Sequence, residues 1–238
     1  MDGIKLVNVG KFYEVEKEQV KVLDGVDLEL SAHKITVILG RSGCGKTTLL
    51  RLVAGLETFE QGKIEAAEVK RKAYVFQEDR LMPWLTVRKN ITFGLKDKEV
   101  EHKKIDDIIE MVGLTKFESA YPSQLSGGMK QRTSIARAFA YNPDFIMMDE
   151  PFSALDYFTR EQMQKELLRI HHKTNCSILF VTHSIDEALM LGDKIVILEK
   201  GIIKSQYEII ERNHERDLLD NKFLELKKQI MNDLKVNQ

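Results

Sequence analysis

Hydrophobic and polar residues alternate over residues 4–9 and 20–30, with the period of two that is typical of half-buried β-strands. A turn is expected at Asp24-Gly25, and the two stretches together predict an antiparallel sheet near the N-terminus. Short apolar runs predict further strands at residues 34–39, 73–76, 145–148, 177–181 and 194–198. A hairpin at Lys200-Gly201 should add one more strand after the last of these.

Helical spacing of apolar residues, one every three or four positions, marks several segments between these strands. A helix is expected at residues 48–54, and residues 102–112 carry an apolar stripe that predicts another. Residues 157–172 predict a helix that suits a crossover between parallel strands. Residues 78–141 show helices and loops but no convincing strand pattern, so the chain is expected to have an α/β fold with a helical insertion.

The C-terminal tail, residues 211–238, is charged and has helical spacing. Its apolar residues form one stripe, made by Leu219, Phe223, Leu226, Ile230 and Leu234. We favour a helix docked on the domain's own surface over a helix that binds a partner chain.

Composition limits the classes of function. The chain has 238 residues, 43% hydrophobic and 31% charged, with a net charge of -1, so no global field attracts it to nucleic acid or acidic lipid. Its two cysteines, Cys44 and Cys176, do not suggest a disulfide framework and fit a reduced cytosolic setting. Neither a signal peptide nor an apolar stretch of about 20 residues is present, so at a membrane another chain would have to hold it.

A glycine-rich segment carries the first candidate chemistry. It reads Gly40-Arg41-Ser42-Gly43-Cys44-Gly45-Lys46-Thr47, which fits the phosphate-binding loop pattern, and it lies between a predicted strand and a predicted helix. Its glycines allow backbone N–H groups to turn towards phosphate oxygens, and the helix dipole adds positive charge there. Lys46 is expected to reach the β- and γ-phosphates of a nucleotide, and the Thr47 hydroxyl is expected to hold Mg²⁺.

The predicted strand at residues 145–148 ends in two acids, Asp149 and Glu150. A buried strand can deliver a carboxylate to the sheet edge beside the phosphate loop, where Asp149 would hold Mg²⁺. Glu150 follows by one residue, and there it could polarise an attacking water.

Residues 125–132 read Leu-Ser-Gly-Gly-Met-Lys-Gln-Arg, which indicates a capped helix start with an exposed backbone and a second anion site. Ser126, Gly127 and Gly128 are its candidate ligands. Leu-Ser-Gly-Gly between a phosphate loop and an Asp-Glu strand resembles the signature of ABC (ATP-binding cassette) ATPases, and the resemblance covers nearly the whole chain.

The resemblance implies a fold and a division of the chain. The fold would be a P-loop NTPase fold of the ABC ATPase type, with a RecA-like core, an N-terminal antiparallel β subdomain and an inserted α-helical subdomain. Residues 1–77 and 142–210 would form the core with the β subdomain, residues 78–141 the helical subdomain and residues 211–238 the helical tail of a single nucleotide-binding domain.

The resemblance also implies further site residues. Gln77 matches a glutamine that contacts Mg²⁺ and the attacking water, and His183 matches a histidine that contacts the γ-phosphate. Asp156 belongs to a loop at residues 153–156 that crosses a dimer interface in the family. Tyr13 is the best candidate for the aromatic residue that stacks on adenine, although Phe12 is its direct neighbour.

The family arrangement implies a head-to-tail homodimer. Each ATP would lie between Gly40 to Thr48 of one copy and Ser126 to Gly128 of the other, so that ATP joins the copies and hydrolysis releases them.

Three functions could use the energy of hydrolysis. They are solute import, export or lipoprotein handling, and a non-transport role on DNA or ribosomes. The short interval between Thr47 and Gly127 leaves no room for the long coiled coils of DNA-acting relatives, and no nucleic acid partner is expected. Residues 81–87, Leu-Met-Pro-Trp-Leu-Thr-Val, resemble the ATPases of the nitrate/sulfonate/taurine importer group.

The importer interpretation implies partners and a location. In ABC transporters this region forms part of the groove for a coupling helix of the permease, and an exposed Trp84 would suit that contact, whereas the alternative is that Trp84 packs inside the helical subdomain. The protein would then act as a peripheral subunit at the cytoplasmic face of the cell membrane, linked through the permease to an extracytoplasmic solute-binding protein. The transported solute is not encoded in these motifs.

Overall fold

The structure, a computed structural model, describes residues 3–66, 68–96, 100–211 and 216–235. An antiparallel sheet contains three strands, β1 (Ile4–Val15), β2 (Glu18–Leu30) and β4 (Gln61–Glu65), in the order β2-β1-β4. This confirms the N-terminal antiparallel sheet. The strand β4 was not predicted, because it is a largely exposed edge strand with a polar sequence that shows no buried face.

The turn predicted at Asp24-Gly25 is wrong. The chain reverses instead at Glu16 and Lys17, whose φ angles of 51° and 70° suit the tight turn of a two-residue hairpin. Strand β2 runs through Gly25, which lies with Asp24 in a bulge because two residues there face the single residue Gly10 of β1. A glycine in a strand therefore marked a bulge, whose φ of 61° suits glycine, and not a turn.

The main sheet has the order β5-β6-β7-β3-β8-β9, with β9 antiparallel to β8 and the other neighbours parallel. Its strands are β3 (Ile35–Leu39), β5 (Lys72–Val75), β6 (Phe145–Asp149), β7 (Ser177–Thr182), β8 (Lys194–Glu199) and β9 (Ile202–Glu208). Every residue of β3, β6 and β7 is buried, which is why these central strands read as continuous apolar runs. The predicted strands and the α/β class are confirmed.

Helices cover the main sheet and form the insertion. They are α1 (Lys46–Ala54), α2 (Val87–Ile91), α3 (His102–Met111), α4 (Gly127–Ala140), α5 (Tyr157–Thr174), α6 (Ile185–Leu191) and α7 (Asn221–Lys235). Within residues 78–141, the described part of the chain contains no strand, as expected. No helix of the described residues is long and apolar enough to cross a bilayer.

The two faces of the main sheet belong to different hydrophobic clusters. Val37 of β3 and Phe180 of β7 point into a cluster shared with helices α2 to α6, whereas Ile38 and Val181 point into a cluster with α1 and the antiparallel sheet. Consecutive residues of one strand thus bury opposite faces, as the pleat requires. The sheet is held on both sides, so the loops at its carboxyl edge stand on a rigid base.

The C-terminal helix α7 packs against the rest of the fold. Phe223 and Ile230 are buried in the larger cluster, and the Asp233 carboxylate accepts a hydrogen bond of 2.7 Å from the Tyr207 hydroxyl on β9. Docking on the domain's own surface is therefore confirmed. Leu219 does not continue the stripe, because it precedes the helix and is exposed.

Candidate functional site

A cavity of about 410 Å³ lies at the carboxyl edge of the main sheet, where β3, β6 and β7 end. Ligand sites of open parallel sheets occur at this edge. The cavity is lined by Val22, Ser42, Gly43, Gly45, Lys46, Thr47, Thr48, Gln77, Glu150 and His183. The structure therefore brings the glycine-rich loop together with Gln77, Glu150 and His183, which lie far apart in the sequence.

The glycine-rich loop can follow its path beside the cavity because two of its positions admit no side chain. A Cβ on Gly40 would lie 2.4 Å from the carbonyl oxygen of Leu198. Gly45 has a φ of 104°, and a Cβ there would lie 2.9 Å from the carbonyl oxygen of Val22. Helix α1 begins at the next residue, so its first N–H groups and its positive dipole end face the same cavity.

Lys46 is held inside this loop. The residue is only 6% exposed, and its Nζ donates hydrogen bonds of 2.9 Å to the Gly40 carbonyl and 3.0 Å to the Arg41 carbonyl. The ammonium is thus fixed beside the backbone N–H groups that a phosphate would contact. The cradle and the buried cation fit a polyphosphate ligand.

Asp149 reaches the loop from the end of β6. The Thr47 hydroxyl donates a hydrogen bond of 3.1 Å to its Oδ1, and the Tyr74 hydroxyl donates one of 3.2 Å to its Oδ2. Burial raises the pKa of Asp149, and the two hydrogen bonds oppose that rise. A hydroxyl and a carboxylate in contact are the oxygen donors that suit Mg²⁺. The sequence indicated Tyr74 only as a strand residue; its position on the strand next to β6 was the available signal.

Glu150 lies at the rim of the cavity in a strained backbone conformation. Its φ is 44°, and its N–H donates a hydrogen bond of 3.0 Å to the Val181 carbonyl. Its Oε2 lies 3.2 Å from Nδ1 of His183, whose side chain is 68% exposed. Left-handed backbone at a non-glycine residue is uncommon and often marks functional sites. A carboxylate and an imidazole therefore meet where the cavity opens.

The predicted adenine-stacking residues lie away from these groups. Among the described residues, neither Tyr13 nor Phe12 lines the cavity, whereas Val22 of the neighbouring strand does. The Tyr13 hydroxyl donates a hydrogen bond to the Glu57 carboxylate, and the Lys11 ammonium lies 4.9 Å from the centroid of its ring. The structure thus ties Tyr13 to the loop that follows α1, and it does not decide which of the two rings contacts adenine.

The second predicted anion site lies outside the cavity. Ser126 caps α4, since its Oγ accepts a hydrogen bond of 3.3 Å from the Met129 N–H, and Gly127 is exposed. Asp156 caps α5, since its carboxylate accepts a hydrogen bond of 3.1 Å from the Thr159 N–H, and this hydrogen bond lowers the pKa of Asp156. These segments touch each other near Gly128, whose Cβ would lie 3.1 Å from Leu155 Cδ2. The structure therefore groups the signature segment with residues 153–156, and neither segment lines the cavity at the phosphate loop.

Trp84 stands on a loop that a buried asparagine holds in place. The carbonyls of Met82, Leu85 and Thr86 lie 3.1, 2.9 and 3.1 Å from Nδ2 of Asn90 and share its two N–H groups. Its Oδ1 accepts a hydrogen bond of 2.8 Å from the Met82 N–H. Trp84 itself is 69% exposed, so the alternative that it packs inside the helical subdomain is wrong. Asn90 was missed in the sequence, where a lone asparagine in a helical segment gives no signal.

A glycine-rich loop between a parallel strand and a helix, with a carboxylate delivered beside it, defines a phosphate-loop nucleotide-binding protein. The family described as "ABC transporter" matches residues 23–153, from the second strand to the loop after Glu150. The chain belongs to this family, and it is an ATP-binding subunit with the ATPase activity characteristic of it.

Similar proteins extend over almost the whole chain. An uncharacterized ABC transporter ATP-binding protein of Methanocaldococcus jannaschii is 46% identical over 98% of this chain and 91% of that protein. The aliphatic sulfonates import ATP-binding protein SsuB of Bacillus cereus is 38% identical over 96% and 94%, respectively. A corresponding SsuB protein of Pseudomonas savastanoi pv. phaseolicola is 43% identical over 90% of each chain.

Solved structures agree with the fold. The ATP-binding cassette MJ0796, in a dimeric post-hydrolysis state bound to ADP and Pi, has a TM-score of 0.79 at 29% identity. The match covers 88% of this chain and 100% of that chain. The family and fold expected from the sequence are thereby confirmed, as is nucleotide binding.

Proposed function

We propose that this chain energises an ABC importer for a small solute of the nitrate, sulfonate and taurine group. The observation that carries this proposal is its 38–43% identity, over at least 90% of the chain, to proteins named as aliphatic sulfonate import subunits. Export or lipoprotein handling is the alternative, and no feature of the described residues favours it. The solute itself would be chosen by other subunits, because the site described above binds nucleotide.

The site residues then take the following roles. Lys46 and the loop from Gly40 to Thr48 bind the phosphates, and Thr47, Asp149 and Gln77 hold Mg²⁺. The contact between Thr47 and Asp149 supports the metal role, because it brings two oxygen ligands together beside the phosphate loop. Mg²⁺ supplies charge neutralisation at the phosphate oxygens.

Glu150 polarises the attacking water, and His183 contacts the γ-phosphate. Their separation of 3.2 Å at the rim of the cavity supports a joint role, since each can orient the other. Tyr13, which lies on β1, remains the residue proposed to contact adenine.

Two copies of the chain are proposed to enclose two ATP molecules. Ser126, Gly127 and Asp156 are exposed and do not line the cavity, which supports this arrangement because they would then be free to meet the nucleotide of another copy. The dimeric state of MJ0796 supports it independently. We further propose the domain division given above, with residues 78–141 as the helical subdomain.

The protein is proposed to act at the cytoplasmic face of the membrane through a permease. The surface from Gln77 to Leu85 would receive the permease, with Trp84 as its main contact. Exposure of a large aromatic side chain on a loop fixed by Asn90 supports this role, because rigid aromatic residues make strong contacts at interfaces.

The test is a pull-down of the tagged protein from gently solubilised membranes of its own host, with the co-purifying chains identified by mass. We expect a multi-span permease, with an extracytoplasmic binding protein as a further component. A Trp84→Ala variant should lose the permease, whereas Leu219→Ala, a change at another exposed apolar residue, should retain it. Recovery of ribosomal or chromosomal partners without a permease would reject the importer function.

A further inference from the structure

The backbone on both sides of His183 is fixed by one hydroxyl group. The Thr182 hydroxyl donates a hydrogen bond of 2.5 Å to Oε2 of Glu187. The oxygen of this hydroxyl also accepts a hydrogen bond of 3.0 Å from the Ser184 N–H. The residues before and after His183 are thus joined through Thr182 to Glu187. Because the His183 side chain is largely exposed, its direction depends on this backbone more than on packing.

Glu187 is itself the buried end of this arrangement. It lies in the first turn of α6, is 7% exposed, and its N–H donates 3.3 Å to the Ser184 hydroxyl. A small cavity of about 50 Å³ is lined by Glu187, Glu150 and His183 together with Arg160. A buried carboxylate is costly unless it is paired, so its presence here calls for a role that an apolar residue would not fill.

Arg160 connects the same carboxylate to the loop at residues 153–156. Its Nη2 donates 3.0 Å to the Leu155 carbonyl, directly before Asp156, and its Nε lies 3.8 Å from Oε1 of Glu187. That Nε is buried and has no hydrogen-bond partner among the described residues. A displacement of about 1 Å would convert the ion pair into a charge-assisted hydrogen bond.

We propose that Glu187 is a positioning residue for hydrolysis, which holds His183 beside Glu150 and ties it through Arg160 to the loop at residues 153–156. This inference rests on the proposed role of His183. The loop is the part of the chain that would face a second copy. Docking of that copy against the loop can therefore influence the position of His183 through the side chains of Arg160 and Glu187. Glu187 does not touch the nucleotide and acts only through the residues that it holds.

The first test compares steady-state ATPase kinetics of Glu187→Ala with the wild type. We expect kcat to fall about tenfold while KM for ATP stays within about twofold, because the phosphate loop that binds ATP is untouched. Glu187→Gln keeps an acceptor for Thr182 and should recover part of the loss. Asp186→Asn is the matched control, since it changes the exposed neighbouring carboxylate of the same helix turn and should leave kcat unchanged.

A double-mutant cycle with His183→Ala decides between positioning and general structural support. If Glu187 acts through His183, adding Glu187→Ala to His183→Ala lowers kcat by less than about twofold further. A full and independent loss in the double variant overturns the inference while leaving the proposed function intact. Unchanged activity of His183→Ala alone overturns the proposed role of His183 instead, and with it the basis of the inference.

Thr182→Val provides a second route should Glu187→Ala not fold. The two side chains at position 182 have almost the same shape, so this change removes the bridging hydroxyl and leaves Glu187 and the Ser184 N–H without that partner. We expect a folded protein, shown by circular dichroism, with a lowered kcat and an unchanged KM. Wild-type kcat in this variant overturns the inference.

Discussion

The two halves of the proposed ATP site are built in opposite ways. In the phosphate half, Lys46 and Asp149 are buried and hydrogen-bonded to the loop that surrounds them. In the signature half, Ser126, Gly127 and Asp156 are exposed, and the side chains of Ser126 and Asp156 accept hydrogen bonds from the first turns of their own helices. One half is therefore held by the core of a single chain, whereas the other is an exposed surface.

Burial also separates two acids that look alike in the sequence. Burial raises the pKa of Asp149 in the phosphate half, whereas hydrogen bonding to a helix start lowers the pKa of Asp156 in the signature half. The difference shows that the first acid is held at a cost to the fold and the second is not. Such a cost is typical of groups that are placed for a ligand.

The largest expected effect is on hydrolysis itself. Glu150→Gln removes the group proposed to polarise water while keeping its shape, so ATPase activity should fall by roughly a thousandfold. ATP binding should persist, and the variant should accumulate as a dimer in Mg-ATP, measured by size-exclusion chromatography with light scattering. A monomer at saturating Mg-ATP and high protein concentration would contradict the view that the signature half needs a second copy.

A smaller effect is expected on nucleotide affinity when the phosphate half is damaged. Lys46→Ala removes a fixed ammonium whose hydrogen bonds to a phosphate are charge-assisted, worth about 1.5–3 kcal/mol, or roughly a 10- to 150-fold weaker Kd. Titration of a fluorescent ATP analogue measures it. Lys165→Ala is the control, because Lys165 is an exposed lysine of α5 that does not line the cavity. Equal Kd values for Lys46→Ala and wild type would reject its assigned role.

A mixing experiment tests whether the two halves work across copies. Gly127→Asp should fold normally, since an added Cβ meets no atom within 4 Å among the described residues, but its charge would repel phosphate at the start of α4. Gly127→Asp and Lys46→Ala should each be inactive alone. Their mixed dimer contains one intact site, so the mixture should regain a measurable fraction of the wild-type ATPase rate. No recovery, with mixed dimers detected by differential tagging, would place both halves in one chain.

Most residues of the two halves could be predicted from the sequence, because the order and spacing of their motifs along the chain define them. Local patterns predicted the glycine loop from Gly40 to Thr47, the two acids at the end of the strand that forms β6, and the start of α4. The family resemblance supplied Gln77 and His183, and the structure brings these two residues to the cavity beside Glu150. Such patterns succeed where a strand and its following loop are encoded contiguously.

Contacts between distant segments were not accessible from the sequence. The links of Tyr74 to Asp149 and of Arg160 to Glu187 join residues whose spacing follows no local period. The turn expected at Asp24-Gly25 failed for a related reason, since pairing with β1 converts that glycine into a bulge. Tertiary pairing, and not local propensity, decides these positions.

The smallest expected effect measures the cost of the buried acid directly. Asp149→Asn keeps the shape of the side chain and removes the charge that burial opposes. Its amide oxygen can still accept one of the two hydrogen bonds, and the hydroxyl that faces the amide nitrogen can turn to accept. In the absence of nucleotide and Mg²⁺ at neutral pH, we expect Tm to rise by roughly 2–4 °C, which corresponds to about 1 kcal/mol in a chain of this size. Differential scanning calorimetry measures the shift.

The sign of the effect follows from the raised pKa of Asp149. Its protonated form favours the folded state, so this contribution to stability is present below the unfolded pKa of about 3.9 and is lost as the pH rises through the higher folded pKa. The difference between Asp149→Asn and wild type should therefore shrink as the pH is lowered. Asp156→Asn is the matched control, because its pKa is lowered and asparagine caps a helix equally well, so no rise in Tm is expected. Equal gains from both substitutions would show that the phosphate half carries no special cost, and would remove the electrostatic distinction between the two halves.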